Sequence, residues 1–149
     1  MENQGSGNVP GPGGIFEQGL LGVYRSDRGG TAGSWETRVN NRDHVFLNTM
    51  LLTNTVTAAA RVCSPQGSTE IPGTMGWYNN VIAVDPRDPN RVWAAGVDWF
   101  RSDDGGRNWG LASWWTGNLP SFSHADQHTI TFHPQYDGES NQLVLIGND

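Results

Sequence analysis

Two imidazoles and a carboxylate alternate along His124-Ala125-Asp126-Gln127-His128. On an extended strand, alternate side chains project from one face, so these three groups could meet around a ligand or a divalent cation. A metal site also wants defined geometry and usually a fourth donor. A hydrogen-bonded structural role is therefore favoured over a metal, ligand binding by His124, Asp126 and His128 is kept open, and no metal or cofactor is expected.

The acids Asp85, Asp88, Asp98, Asp103 and Asp104 raise a second chemistry, since glycoside hydrolysis needs two carboxylates facing each other across about 5 to 9.5 Å. Asp85 and Asp88 fall in Asp-Pro-Arg-Asp-Pro-Asn, where Asp accepts backbone hydrogen bonds and Pro fixes φ, so turn formation is the expected role. Asp98, beside Trp99 in Gly-Val-Asp-Trp-Phe, has no such explanation and is, with Asp126, the candidate catalytic carboxylate. Seven tryptophans, Trp35, Trp77, Trp93, Trp99, Trp109, Trp114 and Trp115, could stack on sugar rings, although packing is expected for most. The adjacent Trp114 and Trp115 are the expected exposed pair. Glycine-rich phosphate loops, His-Glu-x-x-His, Gly-x-Ser-x-Gly and EF-hand spacings are absent.

Short apolar segments, Val81 to Val84, Val92 to Ala95 and Leu143 to Ile146, sit between Gly, Pro, Asn and Asp clusters, which predicts strands joined by tight turns. The segment from Val45 to Val62 has helical stretches, but its Thr and Val content and Asn breaks favour strands. Two internal echoes accompany these segments. Ile82 to Asp98 is mirrored by Ile130 to Asp149, offset by 48 at the isoleucine and 51 at the glycine. Tyr24-Arg-Ser-Asp-Arg-Gly-Gly, with a following Trp35, is mirrored by Phe100-Arg-Ser-Asp-Asp-Gly-Gly and Trp109, offset by 76.

Composition narrows the class. With 9 basic residues, all arginine, against 15 acidic ones, the net charge of −6 argues against a nucleic-acid partner. At 149 residues the chain can bury one sizeable core, and its 20 glycines and 8 prolines make it turn-rich rather than low-complexity. No apolar run approaches the roughly 18 residues of a membrane span, and the N-terminus lacks the pattern of a signal peptide. Residues 1–14, rich in Gly, Pro, Asn and Ser, read as a flexible lead-in, with residues 15–149 as the folded unit. Lone Cys63 excludes an internal disulfide and is expected to be a small buried hydrophobe.

Ser102, Asp104, Gly106 and Trp109 fit Ser-x-Asp-x-Gly-x-x-Trp, and this run resembles the Asp-box, or BNR, repeat of β-propellers. The residues justify the motif physically: Ser and Asp hydrogen-bond nearby backbone, Gly supplies positive φ, and Trp covers the turn. In the N-terminal copy Arg28 stands at the Asp position and Trp35 comes two residues late, so that turn must be rebuilt or unstapled.

The likeness covers roughly residues 73–149 and is similar to bacterial BNR-repeat propellers of sortilin-like or glycosyl-hydrolase-like type. It implies an all-β fold of Asp-box blades in an incomplete ring of about three blades or fewer, because closure takes four to eight blades of about 40 to 50 residues. Remaining blades or self-association would then complete the ring. The function implied is non-catalytic binding of protein or carbohydrate. The alternative is a fragment of a xyloglucanase-like glycoside hydrolase. Resemblance also implies that the His-x-Asp-x-His stretch can face a central channel, and that the protein is extracellular or periplasmic. The Arg-Ile-Pro motif that accompanies sialidases is absent.

Overall fold

The computed structural model describes residues 20–40, 43, 45–63, 76, 78–116 and 121–149, with backbone alone for residues 46 and 60–63. The expectations for residues 1–14, Trp77 and the Cys63 side chain lie outside the described residues. Among the described residues strands dominate, in three antiparallel sheets. A hairpin pairs β1 (Gly22–Ser26) with β2 (Trp35–Asn40). The middle sheet has the order β3 (Val81–Val84), β4 (Val92–Ala95), β5 (Trp99–Ser102) and β6 (Gly110–Ser113). A second hairpin pairs β7 (Gln127–Phe132) with β8 (Val144–Asn148).

Alternation along the middle strands sends successive side chains to opposite faces, and neighbours pack on both faces of β4 and β5 while Ile82 and Val84 of β3 stay exposed. Val92, Ala94 and Phe100 pack with Leu20, Val23 and Val39 of the first hairpin region and with Met50, Leu51 and Ala58. On the opposite face Val81, Ala95 and Trp99 pack with Trp93, Ala112 and Ile130. Phe100 is fully buried at the centre, a burial that stabilises by roughly 2 to 3 kcal/mol.

The segment expected as strand is helical instead: α1 spans Phe46–Thr49 and α2 spans Thr55–Cys63. Two asparagines explain the reversal. Asn54 caps α2, its Oδ1 accepting from Thr57 N at 3.0 Å, and the run Ala58–Ala60 that follows has high helix propensity. Asn48 accepts from Trp109 N at 3.1 Å and donates to Arg107 O at 2.9 Å, so α1 docks on the far turn of the middle sheet. Between the helices, Leu52 adopts φ 71°, and Gly96 approaches it so closely that a Cβ there would lie 2.7 Å from Leu52 Cα. No helix among the described residues is long and apolar enough to cross a membrane.

Strand pairing refines the first echo. Ile82 pairs with Ala94 as Ile130 pairs with Ile146, and Val84 with Val92 as Phe132 with Val144. The offset is therefore 48 on the first strand and 52 on the second, one more than the glycines alone suggest. The second echo is matched in detail: the β1–β2 register shifts between Val23 and Tyr24, and the β5–β6 register shifts at the equivalent Trp99 and Phe100.

Candidate functional site

The sheets have two ends with different contents. At one lie the turns Asp27–Ser34, Asp85–Arg91, Asp103–Trp109 and His133–Leu143. The other gathers Asn79, the Gly96–Asp98 turn, Trp114, Trp115, the Ser123–Asp126 segment and Asp149. Gln127 joins the middle sheet to the second hairpin there, donating from its backbone to Gly96 O at 3.1 Å.

The first end holds the motif turn. Ser102 Oγ donates to Asp104 Oδ1 at 2.8 Å and accepts from Gly106 N at 2.9 Å. Asp104 Oδ1 also accepts from Arg107 N and Asn108 N, each at 2.9 Å, and its Oδ2 from Asn108 Nδ2 at 2.7 Å. Partial burial opposes the charge, yet the bonds from Asn108, Ser102 and Arg107 outweigh it and hold this carboxyl down at about 2. Trp109, 4% exposed, covers the turn and donates from Nε1 to Gly106 O at 3.0 Å. All four motif residues thus serve the turn.

Its N-terminal counterpart is rebuilt, not unstapled. Ser26 Oγ accepts from Gly30 N at 3.0 Å, as Ser102 does from Gly106, and it lies 2.5 Å from Ser34 Oγ. Ser34, whose hydroxyl donates to Thr31 O at 2.6 Å, replaces the missing aspartate only as the acceptor for the Ser26 hydroxyl. Trp35 still bonds Gly30 O at 3.2 Å but is 56% exposed.

Asp85 and Tyr136 tie two turns of this end together. The Asp85 carboxylate accepts from the Tyr136 hydroxyl, from Arg91 Nη1 at 3.1 Å and from Arg87 N at 2.8 Å. Burial alone would raise its pKa; the bonds from Tyr136, Arg87, Asp88 and Arg91 bring it below the ordinary value.

At the opposite end the candidates are close in the fold but separately partnered. His124, Asp126 and His128 do not share a strand face: β7 starts at Gln127, and Asp126 takes a left-handed φ of 61°. That reversal breaks the alternation on which the expected trio rests. Asp126 Oδ1 accepts from Asn79 Nδ2 at 2.8 Å. His128 Nε2 lies 3.0 Å from Asp149 Oδ1, and its ring meets Tyr78 edge-on at 5.1 Å. The His124 ring is edge-on to Trp115 at 6.5 Å. Of the tryptophan pair, Trp115 is exposed and Trp114 is half-buried, the latter in a bridge to Phe122. Among the described residues no group of three or more His, Cys, Asp or Glu is arranged to hold a metal ion.

Asp98 acquires the explanation the sequence lacked. It is 1% exposed, and its two oxygens accept from Thr55 N at 2.7 Å and Trp115 N at 2.8 Å. Burial raises its pKa, against the lowering effect of those two backbone donors. A raised carboxyl pKa suits a general acid, but Asp98 meets no second carboxylate among its hydrogen-bond partners and anchors both α2 and the Trp115 loop.

Sequence reasoning missed Asn79, Tyr78 and Gln127 here. Gln127, fully buried, contacts His124 O and Val97 O through its Nε2, and no local pattern marked it, since strand alternation begins only with Gln127 itself. The partners of Asp126 and Asp98, 47 and 43 residues away in sequence, had no local signal. No family model, no curated protein and no solved structure matches this chain.

Proposed function

We propose that this chain is a non-catalytic binding module of Asp-box propeller blades, and that its ligand surface is the sheet end carrying Trp115, His124, Asp126, His128 and Tyr78. The observation that carries the reading is the pairing of exposed aromatic rings with hydrogen-bonding groups: Trp115 against His124, and Tyr78 against His128 with its Asp149 partner. Aromatic faces flanked by carboxylate and imidazole suit a carbohydrate, whose C–H faces stack while its hydroxyls bond. Supporting the absence of catalysis, Asp98 and Asp126 each have a structural partner, and Asp98 is closed to solvent.

Calorimetric titration with a panel of neutral and acidic oligosaccharides tests this. Binding by the parent chain, reduced at least tenfold in Trp115→Ala with the unfolding midpoint kept, is the expected result. Release of shorter oligosaccharides, abolished by Asp98→Asn in a variant that keeps its fold, would establish the hydrolase alternative and overturn the proposal.

A further inference from the structure

The two hairpins are different halves of one four-stranded unit. By its repeat, its glycine turn and its register shift, β1–β2 corresponds to β5–β6. By its repeat and pairing, β7–β8 corresponds to β3–β4. Among the described residues β1 pairs only with β2, and β8 only with β7, so each hairpin has an unpaired edge on the side where its template continues. What the first hairpin lacks is what the second supplies.

Exposed apolar surface follows the same division. Ile82 and Val84 of β3 are 55% and 53% exposed and line an open groove of about 540 Å³ with Tyr24, Trp35 and Pro89. Leu145 of β8, on the side away from the middle sheet, is 55% exposed. Within the chain, the equivalent face relation is already filled: Ile130, at the position of Ile82, packs against Val81, Ala95 and Trp99. The groove at Ile82 and Val84 is that same contact without its covering pair of strands.

We infer that copies of this chain join head to tail, β8 of one copy adding antiparallel to β1 of the next, so that β7, β8, β1 and β2 form a second four-stranded sheet. The middle sheet gives the register. There β4 meets β5 with Val92 opposite Ser102, Ala94 opposite Phe100 and Ala95 opposite Trp99. Carried over by the repeat offsets, Val144 meets Ser26 of the next copy, Ile146 meets Tyr24 and Gly147 meets Val23. Main-chain pairing supplies affinity, and Leu145 then covers Ile82 and Val84 of the next copy, removing three exposed apolar side chains together. The contact is heterologous, so it propagates until a ring closes. This rests on the internal repeat and strand pairing, not on the proposed ligand.

The test is light scattering on the 149-residue chain and two surface variants. Leu145→Lys damages only the β8 end and Ile82→Lys only the β3 groove; both sites are more than half exposed, so both variants should keep the parent circular dichroism. The parent is expected at an integral multiple of 16.3 kDa. Each variant alone is expected to be a monomer. Mixed one to one they should give a dimer and nothing larger, since one intact end of each kind remains. Val56→Lys, at an exposed apolar site on α2, should leave the parent's assembly unchanged. A monomeric parent, an oligomer indifferent to both substitutions, or variants that stay monomeric when mixed would overturn the inference.

Discussion

Asp98 at one end of the sheets and Asp85, Asp104 and Asp137 at the turn end have pKa values moved in opposite directions. At the turn end Asp104 and Asp85 accept several hydrogen bonds each, and both are held below the ordinary carboxyl range. Asp137, in the turn of the second hairpin, is held at about 2 by the Ser140 hydroxyl and the amides of Asn141 and Glu139. At the other end Asp98 also accepts two backbone N–H bonds, yet burial drives its pKa up. Burial alone does not decide the sign, since Asp85 is 3% and Asp98 1% exposed: Asp85 gains the Tyr136 hydroxyl and the Arg91 guanidinium beside its turn amides, whereas Asp98 accepts from Thr55 and Trp115. A turn can spare several amides around one carboxylate. A side chain reaching between a helix start and a loop meets one amide from each.

Removing the Asp98 carboxylate should have the largest effect, because Asp98→Ala leaves the buried amide of Thr55 and the partly buried amide of Trp115 without this acceptor. A loss of about 3 kcal/mol in denaturant unfolding is expected, with the α2 signal affected first. Asp104→Ala comes next at about 2 kcal/mol, since it frees two turn amides and the Ser102 hydroxyl while Trp109 stays packed.

Acid titration should separate Asp104 from Asp98 by sign. Asp104, at about 2 in the folded chain against 3.8 unfolded, contributes stability that is present above about pH 4 and lost as pH falls toward 2. Its share, discounted for solvent screening, is about 1 to 2 kcal/mol. Asp98, raised in the fold, works in reverse: its contribution is full below its unfolded pKa and is lost as pH rises through the folded value. Unfolding free energies from pH 2 to 6 should therefore rise less steeply in Asp104→Ala than in the parent, and more steeply in Asp98→Asn. Equal slopes in both variants would break the comparison.

The smallest change is expected in the rebuilt turn. Ser34→Ala, which removes the hydroxyl acceptor for Ser26, should cost about 1 kcal/mol or less, because the Trp35 above it is already exposed and little packing is lost. A cost equal to that of Asp104→Ala would mean the serine substitute is as strong as the carboxylate it replaces.

The Ser102–Trp109 turn was legible because its own bonds are local, whereas the Asp85–Tyr136 tie at the same end spans 51 residues and was not. Ser102, Asp104, Gly106 and Trp109 bond within eight residues, and Val81–Val84 and Val92–Ala95 have the expected strand bounds. The other end depends on distant partners. Threonine and valine from residue 53 onward favoured extended backbone, but Asn54 caps a helix there and Asp98, far along the chain, fixes its first turn. The His124–His128 alternation failed at one residue, Asp126, whose left-handed backbone aspartate tolerates better than most. Convergence of the candidates on one end needed the strand order, which the repeats alone did not give.

The most direct test of the account measures ligand binding and thermal stability together in Asp98→Asn and Trp115→Ala. If the acid is structural and the ring is the contact, Asp98→Asn lowers the melting temperature in the absence of ligand, whereas Trp115→Ala keeps it and loses oligosaccharide affinity. An Asp98→Asn chain that melts with the parent and binds oligosaccharide, but no longer cleaves a substrate that the parent does, would contradict it.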